Sequence, residues 1–66
     1  MAIIFDIYNM ADKNWQELRD ASNGSIPSYM KTHYNATTKF DSMRGTTEFI
    51  FFSRESYVEF CLTWLD

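Results

Sequence analysis

The sequence contains one histidine and one cysteine, His33 and Cys61, the side chains best suited to nucleophilic catalysis. An imidazole beside a cysteine stabilises the thiolate, which is the reactive form. Cys61, however, belongs to an apolar repeat of helical spacing, where cysteine usually serves as a small hydrophobic residue. No residue that would orient a base and no local family signature accompanies the pair. We therefore predict no catalytic residue and keep a Cys61-dependent enzyme as a minor alternative.

Metal and phosphate binding are not expected either. A metal site needs three or four converging ligands, and the nine acidic residues are scattered without ligand spacing. The two glycines, Gly24 and Gly45, are too few for a glycine-rich phosphate loop. The sequence therefore predicts no metal, no cofactor and no enzymatic activity.

The charge of the chain argues against nucleic acid as its partner. The formal net charge is -3, whereas phosphate binding requires clustered lysine and arginine residues. Aromatic side chains on an open sheet face could still stack unpaired bases if Lys39, Arg44 and Arg54 converge near the hairpin. A single-stranded nucleic-acid-binding module is therefore the second functional hypothesis.

Apolar side chains are abundant for so short a chain. Of its 66 residues, 45% are hydrophobic and 18% aromatic, and a single cysteine forms no internal disulfide. One domain spanning 1–66 can bury only part of this surface, and aromatic residues are enriched at interfaces. We therefore expect a small non-enzymatic protein-binding module, a stoichiometric inhibitor or modulator of a larger protein, of the type that viruses and mobile elements encode. A structural homo-oligomer subunit, such as a homodimer, is the alternative.

The expected location is the cytoplasm, and no membrane partner is expected. Asp6 interrupts the apolar N-terminus too early for a signal peptide, and no apolar run reaches membrane-spanning length. A free cysteine also fits a reducing compartment.

The first half of the chain is predicted to form a strand and a helix. Alternating residues predict a strand from 2 to 8. An apolar stripe of helical spacing predicts a helix from about 10 to 22, with Asn9 or Asp12 as its N-cap. Asn23-Gly24 ends this helix, since either residue accepts the left-handed conformation.

The middle of the chain admits two predictions. Within 25–36, Pro27 suits the first turn of a short helix, and an extended loop is the alternative. A strand at 37–40, a hairpin connection ending in a glycine, and a strand at 46–52 follow.

A final helix follows the third strand directly. Ser53 is its predicted N-cap. We expect Tyr57, Cys61 and Trp64 to face the sheet and Phe60 to point away from it. Trp64 lies close to the C-terminus, where helices fray, so it is expected to be an anchor packed on the sheet or in a partner chain.

The order β-α-(α)-β-β-α predicts an α+β fold, a small three-stranded sheet with helices packed on one face. The other face would be open and carry Ile4 and Tyr8. Four apolar residues in a row leave the alternation of the third strand undetermined. Either Phe49 and Phe51 or Ile50 and Phe52 would therefore join this face. The candidate partner-binding residues are Tyr8, Phe49, Phe51, Phe60 and Trp64.

Overall fold

The computed structural model describes residues 2–65 and has the predicted α+β architecture. Met1 and Asp66, the two ends of the predicted domain, lie outside the described residues. The segment that admitted either a loop or a helix is a helix, so the described order is β-α-α-β-β-α. The elements are β1 (Ile3–Asp6), α1 (Asp12–Ala21), α2 (Ile26–Tyr34), β2 (Thr37–Asp41), β3 (Thr46–Phe51) and α3 (Arg54–Trp64).

The longest strand, β3, occupies the centre of the sheet, and both neighbours are antiparallel to it. Phe5 of β1 lies opposite Phe49 of β3, and Thr38 of β2 lies opposite the same residue on the other side. β1 and β2 therefore run in the same direction along the two edges. This register fixes which side chains share each face, because a one-residue shift would exchange the faces.

The core lies between one sheet face and all three helices. Phe5, Phe49 and Phe51 lie on that face by register, and all three are buried. The helices meet them with buried apolar residues from α1, α2 and α3, which are Leu18, Met30, Tyr34 and Phe60. Packing of the helices on one face, as predicted, leaves the opposite sheet face uncovered.

The first strand is shorter than predicted. β1 ends at Asp6, and a 3₁₀ turn spans Ile7–Asn9. The Asp6 carboxylate accepts a hydrogen bond from the backbone N–H of Tyr8 at 3.0 Å, which competes with continued strand pairing. The predicted N-caps Asn9 and Asp12 were wrong for α1, because Ala11 takes that position without a side-chain hydrogen bond.

Several predicted boundaries are confirmed by their backbone conformation. Ser53 caps α3 by accepting the N–H of Ser56 at 3.1 Å. Asn23, Gly24 and Gly45 all have positive φ, where glycine and asparagine are least strained.

Candidate protein-binding face

The sheet surface opposite the helices carries apolar side chains with no helix over them. Ile4 and Ile50 lie directly opposite each other on this surface, and Ile4 is 61% exposed. Phe52, directly after β3, is 55% exposed. We call this side of the sheet, opposite the helices, the open face. Its apolar centre consists of two opposed β-branched residues with an aromatic residue at the end of the strand.

A row of charged residues crosses the open face beside this apolar centre. Asp6, Glu48 and Lys39 lie side by side on β1, β3 and β2. Asp41 follows two residues after Lys39 and therefore shares its face. Three carboxylates against one ammonium group give the open face a negative formal charge, in line with the net charge of -3 for the whole chain.

Tyr8 is the one predicted partner-binding residue that the structure leaves largely accessible, with 73% of its surface exposed. Its hydroxyl donates to the carbonyl oxygen of Gly45 at 3.5 Å, which places the ring beside the start of β3. A long hydrogen bond of this kind holds the ring only loosely and leaves it accessible for a further contact.

Three of the predicted partner-binding residues belong to the core instead. Phe49, Phe51 and Phe60 have no exposed surface, so they cannot contact a partner while the chain keeps this fold. The prediction that Phe60 points away from the sheet was wrong. Residues three and four apart are neighbours on a helix, so Phe60 lies between Tyr57 and Trp64 on the inner side of α3.

Trp64 anchors α3 to α2 within the chain. Its indole Nε1–H donates to the Tyr34 hydroxyl at 3.0 Å, and its ring lies edge-on to Tyr29 with the centroids 6.5 Å apart. Trp64 is only partly buried, so part of the ring remains accessible. Trp64 therefore anchors the end of α3 by packing on α2 and not on the sheet.

The sequence already contained the information that decides which side chains of β3 face the helices. Glu48 lies two residues before Ile50 within β3, so these two share one face, and the same alternation continued one residue past the strand predicts Phe52 there as well. A carboxylate disfavours the apolar interior, and this places Ile50 and Phe52 outside and Phe49 and Phe51 inside. Four apolar residues in a row obscured this alternation.

The residues considered for chemistry lie against different aromatic partners. Cys61 is half-buried, and the neighbouring Cys61 thiol, together with burial, raises the pKa of the Tyr57 hydroxyl. His33 is exposed and stacks on Tyr29 with ring centroids 4.2 Å apart. Within residues 2–65, no group of three histidine, cysteine or acidic side chains is arranged to hold a metal ion.

A polar surface groove lies at the C-terminal end of α1. Its volume is about 340 Å³, and its lining includes Gln16, Arg19 and Asn23. These side chains come from one helix and the turn that follows it, which makes a shallow depression instead of an enclosed site.

Comparison with protein-family models, curated proteins and solved structures finds no match to this chain. Among the described helices, none is both long enough and apolar enough to cross a membrane.

Proposed function

We propose that this chain is a non-enzymatic protein-binding module that docks on a larger protein through the open face and inhibits or modulates it. The observation that carries the proposal is the exposure of Ile4 and Phe52, together with Ile50 of the central strand, on the sheet side that none of the described helices covers. Contiguous apolar patches on monomeric proteins commonly mark interaction sites.

Docking on this face would add to the limited apolar burial that a chain of this size achieves alone. Each large apolar side chain that becomes fully buried contributes roughly 1.5–3 kcal/mol of transfer free energy. Tyr8 supplies an aromatic ring with a polar end near the start of β3, on the other side of the charged row from this patch. Such amphipathic aromatic side chains are enriched at protein interfaces.

The charge of the open face defines the partner. Asp6, Glu48 and Asp41 outnumber the single Lys39 on this face, so the complementary surface has an apolar centre with lysine or arginine at its margin. A second copy of this chain docked face to face would bring like charges together. A different, basic protein surface is therefore the favoured occupant.

Single-stranded nucleic acid is the weaker candidate for the same face. Lys39 lies next to Glu48, and Arg44 and Arg54 lie beyond opposite ends of β3. A strand of this length extends roughly 20 Å, so these two arginines do not form one basic patch. Phosphate groups would also meet the carboxylates of the open face.

The test compares two apolar residues of similar exposure on opposite sides of the molecule. Ile4 is 61% exposed on the open face, and Leu62 is 65% exposed on the outer surface of α3. Ile4→Lys removes apolar surface and adds a charge that a basic partner repels, whereas Leu62→Lys makes the same change elsewhere. Both variants should keep the parental circular dichroism spectrum.

Immobilised parental protein is used to capture partners from a cell lysate, and the captured proteins are identified by mass spectrometry. We expect a partner that Leu62→Lys still captures and Ile4→Lys does not, and we expect its capture to weaken as the salt concentration is raised. Glu48→Gln should reduce both the capture and its salt dependence. Equal capture by the two lysine variants would place the binding surface elsewhere and contradict the proposal.

A further inference from the structure

The outer side of β2 is an unpaired sheet edge. β2 pairs with β3 along one side only. Apart from that pairing, no backbone hydrogen bond of Thr37–Asp41 joins another element in the part of the chain that the structure describes. Such an edge presents a row of backbone donors and acceptors that can pair with another strand.

The side chains of this edge favour pairing more than those of β1. Phe40, the fourth of the five residues of β2, is 69% exposed, and β2 contains no proline that would remove a backbone donor. β1 is shorter and ends at Asp6 in a 3₁₀ turn, without a basic residue to match that carboxylate. β2 instead carries one positive and one negative side chain, Lys39 and Asp41.

The charges of β2 select one antiparallel register. Two copies related by a twofold axis through Lys39 would place two lysines opposite each other, which is unfavourable. An axis through Phe40 places Lys39 of each copy opposite Asp41 of the other and brings the two phenyl rings together. This register is self-complementary, as a twofold interface requires.

Asp41 is held in position for such a contact. Its Oδ1 accepts the backbone N–H groups of Met43 at 3.1 Å and Arg44 at 3.3 Å. These bonds fix the carboxylate at the start of the turn and leave Oδ2 for Lys39 of the second copy.

We infer that this chain self-associates through β2, with Phe40 opposite Phe40 and Lys39 opposite Asp41 across a twofold axis normal to the sheet. The two three-stranded sheets then form one six-stranded sheet with both helix layers on the same side. The contact spans few residues, so the dimer is weak and forms at high protein concentration. It uses the β2 edge and does not depend on docking of a partner on the open face.

Site-specific disulfide trapping tests both the association and its register. Directly opposed antiparallel residues have Cα atoms about 4.5–5.5 Å apart, within the range that a disulfide spans. Phe40→Cys in a Cys61→Ala background should therefore give a covalent dimer when treated with oxidised glutathione. In this register the two Lys39 Cα atoms are on the order of 8 Å apart, too far for a bridge.

Two single-cysteine controls in the same background make the result interpretable. Lys39→Cys tests the alternative register, and Met43→Cys, at a position that is 96% exposed, reports random collision. Dimer from Phe40→Cys should form at least about tenfold faster than from either control, because pairing raises the effective thiol concentration. Adding Lys39→Glu should slow it, since a glutamate would then face Asp41.

Circular dichroism of each variant verifies that it is folded before oxidation. Equal rates for Phe40→Cys and Met43→Cys would overturn the inference. Faster bridging by Lys39→Cys would overturn the register and its charge argument. No covalent dimer from folded Phe40→Cys at millimolar concentration would refute the association itself.

Discussion

Replacement of Phe60 by alanine tests the core most directly. The Phe60 ring has no exposed surface, and its centroid lies 5.2 Å from that of Phe51 and 5.5–5.7 Å from those of Phe5, Tyr34 and Phe49. Truncation of a buried phenylalanine to alanine costs about 3–5 kcal/mol. Four aromatic neighbours that lose a shared contact place the expected loss in the upper half of that range.

This loss is large compared with the whole stability of the chain. At roughly 0.05–0.15 kcal/mol per residue, a chain of 66 residues has about 3–10 kcal/mol of unfolding free energy. Phe60→Ala should therefore be largely unfolded, or should retain an unfolding free energy of only a few kcal/mol. Phe60→Leu keeps most of the volume and should cost less than about 1.5 kcal/mol.

Urea unfolding, followed by circular dichroism and tryptophan fluorescence, measures these differences. Leu62→Ala, on the exposed side of the same helix, is the matched control and should change stability by no more than about 0.5 kcal/mol. If Phe60→Ala unfolds at the same urea concentration as Leu62→Ala, the assignment of Phe60 to the centre of the core is wrong.

Three further predictions concern polar groups. Tyr34→Phe removes the acceptor of the Trp64 indole and should cost about 0.5–1.5 kcal/mol in urea unfolding, with no such cost in a Trp64→Phe background. Thr38→Val should raise stability by about 1 kcal/mol, because the buried Thr38 Oγ1 has no hydrogen-bond partner within residues 2–65; an unchanged midpoint would contradict this. The raised pKa of Tyr57 means that its neutral hydroxyl stabilises the folded state fully below the ordinary pKa of 10.0, and that this stabilisation is lost as pH rises through the folded-state pKa. Tyr57→Phe should therefore lose less of its unfolding free energy at alkaline pH than the parental protein does.

Local features of the fold could be predicted because they depend on a few neighbouring residues. Ser53 satisfies a backbone donor of the helix that follows it, whatever that helix packs against. Asn23-Gly24 and Gly45 adopt positive φ for reasons intrinsic to those residue types. Pro27 likewise lies in the first turn of α2, where its missing N–H costs no hydrogen bond.

The placement of side chains relative to the rest of the molecule was harder to predict. Phe49, Phe51 and Phe60 are as hydrophobic as residues at an interface, and composition alone does not separate a core from a binding surface. The register of β3 against its two neighbouring strands decides which of its side chains face the core, and that register depends on contacts between residues distant in sequence. Trp64 shows the same limit, because its partner Tyr34 is 30 residues away.

The two proposed surfaces differ in whether they are complementary to themselves. The open face carries Asp6, Glu48 and Asp41 with one lysine, so a second copy docked on it would meet like charges, and the partner proposed for it is basic. The β2 edge carries Lys39 and Asp41 on either side of Phe40, so a twofold axis matches it with itself. Lys39→Glu should therefore slow trapping of the β2 dimer and strengthen binding of a basic protein to the open face. Because both surfaces use Lys39 and Asp41, effects of opposite sign on the two contacts would distinguish them. Loss of both contacts in a folded Lys39→Glu variant would contradict the assignment of a basic partner to the open face.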